Sequence, residues 1–338
     1  MKILGIEFAP LNVPLERRLQ TFAVWQFTLS FMCFGFGFLF FFIYLLFTRF
    51  YYIPLLYLAW YIYDHKTSAR GGRRILWARN WKIWKHYCNY FPLKLHKTVD
   101  LDPAKNYIFA CHPHGVMCIS HFGNYATEGT NFSKMFPGIR PYLLVLAGQF
   151  MFPVFREYFM MTGVAEISKE SINYLLTQPG TGNALAIMVG GAVEALDAKP
   201  GMFRLKMLNR KGFCKLALRY GADICPVFTF GENDLFNQIP NPDGSFLRKI
   251  QNQLTHVFGF SLPAIHGRGM FQYTFGVTPY RRRMDTVVGR PIEVAKVENP
   301  SQEQIDKLHG QYMDALVRLF ESNKRKYNVD EDKHLIFH

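Results

Sequence analysis

The stretch Tyr107-Ile-Phe-Ala-Cys-His-Pro-His-Gly115 places two histidines directly after an apolar, β-prone run. Histidine has an unperturbed pKa of about 6.5, so it takes up and returns a proton near neutral pH. Pro113 fixes its own φ and restricts the residue before it, so His112 should be extended. Gly115 allows a sharp turn or a close backbone approach to a substrate. We therefore predict a strand that ends in a loop carrying both histidines, where α/β proteins place their chemistry.

Three interpretations of this stretch remain open from spacing alone. The histidines are catalytic, they belong to a tight structural turn, or they form half of a metal site with Cys111, Cys118 or His121. Zinc sites gather three or four ligands at recognisable spacings, and the chain contains neither C-x-x-C nor H-E-x-x-H. We therefore expect no metal.

The composition indicates contact with lipid. The chain has 338 residues, enough for one large or two medium domains, and 17% of them are aromatic. Its net charge of +14 suits a nucleic acid, a membrane surface or an acidic ligand. The six cysteines are scattered, as expected for reduced thiols facing the cytosol.

Two uncharged segments near the N-terminus predict a membrane hairpin. Residues 19–48 carry no charge, Arg49 follows, and residues 50–63 are again uncharged. A 30-residue helix is about 45 Å long, against a hydrocarbon core of about 30 Å, so the first segment is long enough to cross. The second segment is shorter and contains Pro54. We expect a helical hairpin, or a re-entrant wedge, with Arg49 near its tip.

The residues that flank the hairpin predict its orientation. Between His65 and Val99 there is no acidic residue, but there are nine lysines and arginines. Positive flanks stay cytoplasmic, and Arg17 and Arg18 mark the other flank in the same way, so both termini should be cytosolic. Four tryptophans lie among or near these charges as an expected interfacial belt: Trp60, Trp77, Trp81 and Trp84. A cationic strip beside an apolar hairpin matches anionic lipid better than nucleic acid, so we expect no nucleic-acid partner.

The rest of the chain predicts an α/β domain. We divide the chain into a membrane hairpin (1–64), a basic interfacial segment (65–99) and an α/β domain (100–338). Apolar runs over Tyr107–Cys111, Leu185–Val189 and Ile224–Phe230 indicate buried strands. Alternation with helices implies a mostly parallel sheet.

Three helices are indicated in this domain. They are a helix over 169–178 capped by Ser168, a helix over Gly212–Tyr220, and a C-terminal helix opened by the capping box Ser301-x-x-Gln304. The segment Pro141–Gly163, rich in Leu, Phe, Met and Tyr, is either core or the lining of an acyl channel.

Glycines and carboxylates follow two other predicted strands. One motif is Ile187-Met-Val-Gly-Gly-Ala-Val-Glu194 and the other is Phe228-Thr-Phe-Gly-Glu-Asn233. If the strands are parallel neighbours, these motifs meet the histidines at one sheet edge. A carboxylate that accepts a hydrogen bond from one imidazole nitrogen strengthens the other as a base. Glu194 and Glu232 compete for that role, and we favour Glu194.

A basic helix start is a candidate site for phosphate. Arg210, Lys211 and Gly212 open a predicted helix, and helix N-terminal amides with basic side chains favour phosphate groups. Coenzyme A carries several phosphates, so its nucleotide end is a candidate ligand, although a solvated charged surface explains the pattern equally well. No G-x-S-x-G elbow, P-loop or dinucleotide fingerprint occurs, so a substrate hydroxyl should attack directly.

Several motifs together resemble one family, the diacylglycerol acyltransferase type 2 group, which includes acyl-CoA:monoacylglycerol acyltransferases. They are His112-Pro-His-Gly115, Tyr90-Phe-Pro92, Gly190-Gly-Ala-x-Glu194, Arg210-Lys-Gly-Phe213 and Phe230-Gly-Glu-Asn-Asp234. Glu7-Phe-Ala-Pro10, Gly71-Gly-Arg-Arg74 and His266-Gly-Arg-Gly269 are more similar to the monoacylglycerol branch.

The resemblance implies an enzyme of the endoplasmic reticulum membrane that esterifies monoacylglycerol with the acyl group of acyl-CoA. The lipid droplet is kept as an alternative location. His114 is the expected base, oriented by Glu194, and His112 shares the catalytic turn. The expected substrate-contacting residues are Pro113, Gly115, Gly190, Gly191, Arg210, Lys211, Gly212, Phe213, Glu232 and Asn233. No cofactor is expected besides acyl-CoA as co-substrate. The oligomeric state is open, and a homo-oligomer is compatible with the sequence.

Three rival functions are considered, and the sequence argues against the third. The acceptor could be diacylglycerol, giving triacylglycerol, or the chain could be a non-enzymatic membrane or lipid-droplet protein. A lysophospholipid acyltransferase would place an aspartate shortly after its histidine. Met117 and Ile119 stand at the corresponding positions, so that pattern fails.

Overall fold

A seven-stranded sheet forms the centre of the molecule in the computed structural model, which describes residues 2–10 and 12–338. Its strands are β1 (Leu93–Lys97), β2 (Tyr107–His112), β3 (Arg140–Val145), β4 (Ala165–Glu166), β5 (Asn183–Met188), β6 (Asp223–Phe230) and β7 (Met284–Val288). Their spatial order is β1-β7-β6-β2-β5-β3-β4. The five strands from β6 to β4 are parallel, while β7 is antiparallel to β6 and parallel to β1. The predicted mostly parallel sheet is confirmed.

The three central strands are the three apolar runs of the sequence. Every residue of β2, β5 and β6 is buried, because helices cover both faces of a parallel sheet. The observed strands differ from the predicted ones by one or two residues at their ends. β2 extends to His112, which confirms that this histidine is extended.

Nine α-helices of seven or more residues surround the sheet in the described part of the chain. They are α1 (Leu15–Leu29), α2 (Gly35–Leu46), α3 (Tyr52–Asp64), α4 (Lys82–Tyr90), α5 (Phe155–Met161), α6 (Lys169–Thr177), α7 (Gly212–Tyr220), α8 (Phe246–Phe258) and α9 (Gln302–Asn323). Shorter α-helical segments cover Leu76–Arg79, Ile119–His121 and Phe132–Met135. Three further strand pairs lie outside the sheet: Lys2–Ile3 with Ile6–Glu7, Asn237–Gln238 with Ile265–His266, and Arg204–Leu205 with Ile336–Phe337.

Local side-chain chemistry sets the predicted helix starts. Ser168 Oγ accepts from the Ser171 amide and so caps α6. Ser301 and Gln304 form the reciprocal capping box of α9. Gly221, at φ +66°, ends α7 in the left-handed conformation that favours glycine.

Two apolar clusters form the core, one on each face of the sheet. Alternate residues of β2 face opposite ways, so Phe109 joins one cluster and Ile108 the other. The Phe109 cluster includes Trp84 and Phe122. The Ile108 cluster includes the predicted buried stripe of α9: Ile305, Leu308, Tyr312, Leu316 and Leu319.

The N-terminal helices form the predicted hairpin. A π-helical turn at Ser30–Phe34 joins α1 to α2, and the combined helix Leu15–Leu46 contains an 18-residue stretch with a mean hydropathy of 2.3. By length and composition it is the one helix in the described chain that could cross a membrane. A turn containing Arg49 leads into α3, and the Phe42 and Tyr57 rings meet at 5.1 Å across the pair. Full crossing of a bilayer stays a prediction.

The first half of this long helix belongs to the globular core. Ala23, Val24 and Phe27 of α1 lie in the same apolar cluster as Trp84 and Phe122. In contrast, most of the α2 and α3 side chains are exposed, including Phe40 at 65%. The predicted boundary between residues 64 and 65 stays a prediction, but α1 packs with residues beyond it.

Two residues of the basic segment that were expected to face the membrane interface are buried. Trp84, predicted for the interfacial belt, is buried because it packs on Phe122, whereas Trp60 and Trp77 are exposed. Arg79, counted with the lipid-facing charges, is fully buried. It donates to the Tyr125 and Thr162 carbonyls and pairs with Glu128.

The apolar segment Pro141–Gly163 is mostly core. It contains β3 and α5, and Leu143, Phe155 and Phe159 are buried. Phe152 instead packs edge-on against Phe36 of the hairpin, with ring centroids 4.8 Å apart. The core interpretation therefore holds for most of the segment, and Phe152 lies where the domain meets the hairpin.

Candidate active site

The three strand-end motifs converge at one edge of the sheet, as predicted. β2 lies between β5 and β6, with Cys111 opposite Met188 and His112 opposite Phe228. Because these three strands are parallel, their carboxyl ends meet, and the loops that follow lie side by side. The hydrogen bonds described next join these loops to one another.

His112 is sealed inside the protein. Its Nε2 lies 2.9 Å from the Tyr312 hydroxyl, which donates its own proton to the Ala110 carbonyl at 3.2 Å. Nε2 therefore carries the ring proton, and burial lowers the pKa of His112 to about 3. A neutral, fully buried imidazole can shape the turn, but it has no access to an outside substrate. His112 therefore lies inside the predicted catalytic turn and shapes it, and of the two histidines His114 is the partly exposed one.

His114 is partly exposed, and its ring has a defined tautomer. Nδ1 lies 2.9 Å from the Gly115 carbonyl oxygen, which can only accept, so Nδ1 carries the proton and Nε2 keeps its lone pair. Burial lowers the pKa of His114, while the bond to Gly115 opposes that shift. The Cys118 sulfur lies 3.6 Å from both ring nitrogens. The neutral ring therefore presents Nε2 as a proton acceptor.

Glu194 orients His114 through the backbone. Its Oε2 accepts from the His114 amide at 2.8 Å, and its Oε1 accepts from the Lys206 amide at 3.0 Å. The predicted bond from the imidazole to this carboxylate is not formed, because the Gly115 carbonyl already occupies Nδ1 and two amides satisfy the carboxylate. Burial raises the pKa of Glu194 to about 7.

Gly190 makes room for this carboxylate. A Cβ atom at Gly190 would lie 2.2 Å from Glu194 Oε1. The next residue, Gly191, has φ +68° and would place its Cβ 3.8 Å from Arg210 Nη2. The two glycines therefore let the backbone pass beside the carboxylate, as the sequence predicts.

Glu232 performs the same task for the segment after the histidines. Its two carboxylate oxygens accept from the Ile119 and Ser120 amides, both at 2.9 Å. It packs so closely on Gly115 that a Cβ there would lie 2.6 Å from Glu232 Cγ. Burial raises the pKa of Glu232 to about 7. Neither of the two rival carboxylates therefore forms a hydrogen bond with the imidazole, and both hold the turn through backbone amides.

The predicted phosphate-binding residues separate into different environments. Arg210 Nη2 donates to the Gly190 carbonyl at 3.4 Å, which brings this arginine to the sheet edge. Lys211 instead pairs with Asp306 at 2.7 Å, and Gly212 is exposed at the start of α7. Phe213 is buried against Tyr312, with ring centroids 4.8 Å apart, so the expected substrate contact is corrected to core packing.

Two more residues that were expected to contact the substrate form hydrogen bonds within the protein. Pro113 is buried, and its carbonyl accepts a hydrogen bond from His121 Nε2 at 3.0 Å. Asn233 donates to the Met202 carbonyl at 2.8 Å. Both residues therefore brace the loops around the site.

Sequence reasoning did not identify the full support of the turn. Tyr312 was predicted only as part of the α9 stripe, yet its hydroxyl binds His112. The tyrosine in an otherwise aliphatic stripe could have predicted this bond, because the hydroxyl of a buried tyrosine usually has a hydrogen-bond partner. Within the described residues, no three His, Cys, Asp or Glu side chains are placed to hold a metal ion.

Comparisons with known proteins agree with the family resemblance. The family model for diacylglycerol acyltransferase matches residues 43–338. The chain is 50% identical over 332 residues to 2-acylglycerol O-acyltransferase 1 of Bos taurus, covering 98% of this chain and 99% of that protein. It is 45% identical over 318 residues to diacylglycerol O-acyltransferase 2 of Homo sapiens, covering 94% and 82% respectively.

A solved structure gives a weaker match. The 1-acyl-sn-glycerophosphate acyltransferase of Thermotoga maritima is 12% identical, with a TM-score of 0.42, and the match covers 92% of this chain and 97% of that one. The assignment to a family of enzymes that transfer acyl groups rests on the sequence matches, which extend over nearly the whole chain. The chain therefore belongs to the diacylglycerol acyltransferase family.

Proposed function

We propose that this chain esterifies monoacylglycerol with the fatty acyl group of acyl-CoA, using His114 as general base. The observation that carries the proposal is the partly exposed His114 ring, whose Nδ1 is bound to the Gly115 carbonyl and whose Nε2 lone pair meets only a weak donor, the Cys118 thiol at 3.6 Å, among the described residues. The relatives named as 2-acylglycerol O-acyltransferases support the acceptor.

The proposed step is direct acyl transfer. His114 Nε2 takes the proton of the acceptor hydroxyl as its oxygen attacks the thioester carbonyl. Backbone amides near Gly115 or Gly190 could hold the resulting oxyanion. The carbon–sulfur bond then breaks, coenzyme A leaves as a thiolate, and the proton on His114 returns to that sulfur. Arg210, whose Nε has no hydrogen-bond partner among the described residues, is placed to contact acyl-CoA beside Gly190.

The proposed setting is the endoplasmic reticulum membrane, with both termini cytosolic and the hairpin in the bilayer. The apolar helix Leu15–Leu46 and the exposed apolar side chains of α2 and α3 support membrane attachment. In this setting the reaction would take place beside the membrane that holds an acylglycerol acceptor.

Replacing His114 tests the proposal. Microsomes containing His114→Gln should show no transfer from labelled oleoyl-CoA, because glutamine cannot take the hydroxyl proton. His334→Gln is a matched control, since His334 is 63% exposed and far along the chain in the C-terminal segment. Full activity of His114→Gln at normal expression would refute the proposed base, and absence of transfer by the wild type itself would favour a non-enzymatic membrane protein.

A second acceptor has support of its own. The match to diacylglycerol O-acyltransferase 2 keeps diacylglycerol as the alternative acceptor. The same membranes should therefore receive each acceptor in turn. A faster rate with diacylglycerol than with monoacylglycerol would reverse the proposed preference.

A further inference from the structure

A polar cleft of about 590 Å³ lies beside the candidate active site. Its lining includes Val193 and Lys206, and the Lys206 amide donates to Glu194 Oε1. The other oxygen of Glu194 accepts from the His114 amide. One carboxylate therefore connects the cleft wall to the turn that carries the proposed base. The cleft volume falls within the range of about 300–1,000 Å³ that is usual for ligand sites.

The cleft has more cations than anions. Arg204, Lys206 and Arg248 line it. Arg204 pairs with Asp243 at 2.9 Å, and Arg248 pairs with Asp197 at 2.9 Å. Lys206 forms no ion pair with any other described residue, so its charge remains available.

Arg248 is also incompletely satisfied. Its side chain is only 5% exposed, yet its Nε has no hydrogen-bond acceptor among the described residues. The Asp243 carboxylate lies 3.7 Å away, beyond hydrogen-bond distance. An unmatched donor on a buried guanidinium is unfavourable, so an anionic ligand that supplied an acceptor would be favoured here.

We propose that this cleft binds the phosphates of the coenzyme A moiety of acyl-CoA. The proposal rests on the proposed function and assigns the anionic end of its co-substrate to a site other than Lys211, which is already paired with Asp306. Phosphate oxygens match the planar donors of arginine and the point charge of lysine. The pantetheine arm would then run past Glu194 toward His114. The phosphate of an anionic lipid headgroup has the same chemistry, so the experiment must separate these two sources.

Charge reversal at Lys206 tests the cleft. Lys206→Glu should raise the KM for oleoyl-CoA about tenfold, the expected loss of one charge-assisted contact, with kcat within about twofold. Lys249→Glu is the matched control, because Lys249 is exposed on α8 beside Arg248 but does not line the cleft. Lys206→Gln, checked by thermal unfolding in detergent, replaces the reversal variant if that variant does not fold.

Two substrates distinguish the source of the phosphate. Oleoyl-pantetheine lacks the nucleotide phosphates, so wild type and Lys206→Glu should share one KM for it. An unchanged KM for oleoyl-CoA in Lys206→Glu, or an equal penalty with oleoyl-pantetheine, would overturn the proposal. A defect that depends only on the anionic-lipid content of the vesicles would assign the phosphate to a headgroup and would also overturn it.

Direct binding separates this proposal from the proposed function. Coenzyme A itself is titrated into the purified full chain in detergent, with no acceptor present. About tenfold weaker binding to Lys206→Glu than to Lys249→Glu supports the cleft even if neither acylglycerol accepts the acyl group. Equal binding to both variants refutes it even if wild-type acyl transfer is normal.

Discussion

Glu194 and Glu232 each hold a buried turn by accepting hydrogen bonds from two backbone amides. Two short amide contacts stabilise a carboxylate, but removal from water destabilises its charged form more strongly. Burial therefore raises the pKa of both groups to about 7. These residues fix the backbone at His114 and Ser120 without a hydrogen bond to the imidazole ring.

The raised pKa of Glu232 predicts a pH-dependent stability difference. A carboxyl whose folded pKa exceeds its unfolded value of 4.5 contributes stability that is full below 4.5 and lost as pH rises to about 7. Wild type should therefore gain stability relative to Glu232→Gln between about pH 8 and about pH 5. Thermal unfolding of both proteins in detergent measures this difference.

The comparison with Glu232→Gln is needed because buried histidines act in the opposite direction. Burial lowers the pKa of His112 to about 3 and of His121 to about 4. Below about pH 6.5 these histidines take up protons in the unfolded chain but stay neutral in the folded one, so the folded protein becomes less stable as the pH falls. Both proteins contain these histidines, so their effect cancels in the difference. A difference that stays constant with pH would show that Glu232 is charged throughout.

At the scale of the element, the loop after β5 depends on two residues without side chains. Gly190 lies against the Glu194 carboxylate, and Gly191 adopts φ +68° beside Arg210. At Gly190 the loop has no room for a side chain, and the positive φ of Gly191 disfavours one. The preceding strand β5 pairs with β2 through ordinary parallel hydrogen bonds and does not depend on glycine.

A methyl group at Gly190 should disable the site. Gly190→Ala would place Cβ 2.2 Å from Glu194 Oε1, so the carboxylate must move and the His114 amide loses its acceptor. A displacement of this size should reduce kcat/KM for oleoyl-CoA about 100-fold. Initial rates in microsomes at matched expression measure the effect.

Gly310→Ala is the control for this substitution. Gly310 lies within α9, and a Cβ there meets nothing within 4 Å. Activity should remain at the wild-type level, with stability higher by about 0.5–1 kcal/mol. Wild-type activity in Gly190→Ala would show that the carboxylate does not position His114.

At the scale of the whole molecule, the first half of the long N-terminal helix is packed into the core and the second half is mostly exposed. α1 packs into the cluster that also holds Trp84 and Phe122, whereas α2 and α3 present exposed aromatic and aliphatic side chains. The hairpin is therefore continuous with the catalytic domain rather than joined to it by a linker. Such packing holds the carboxyl edge of the sheet at a set position relative to the exposed apolar helices α2 and α3.

Two phenylalanines on the same long helix should respond differently to truncation. Phe27→Ala removes a side chain that is 1% exposed and should cost about 3–5 kcal/mol, whereas Phe40→Ala, at 65% exposure, should change stability by less than about 0.5 kcal/mol. Thermal unfolding in one detergent compares them. Equal losses would mean that α1 does not pack into the core.

Topology predicts the state of the sequon Asn131-Phe-Ser133. Asn131 is exposed, so burial does not prevent glycosylation, and a cytosolic location would keep it unmodified. Endoglycosidase treatment of protein expressed in mammalian cells should leave its gel mobility unchanged. A mobility shift that is lost in Asn131→Gln would place the domain in the lumen.

The sequence by itself determined the parallel core strands, the capped helices, the hairpin and the meeting of three motifs at one edge. These features follow from hydrophobic runs, glycine and capping residues, all of which act over a few neighbouring positions. The motif combination was also specific enough to indicate the family, which the full-length matches confirm.

Only the tertiary structure decided which partner each polar side chain takes. Glu194 binds amides rather than the imidazole, Arg79 and Trp84 are buried, and Tyr312 supports His112 across 200 residues of sequence. Residue type determines whether a side chain can donate or accept a hydrogen bond or be buried. It does not determine which residue, distant in sequence, lies beside it in the fold. That choice depends on the packing of the sheet against α1 and α9, which local sequence patterns do not specify.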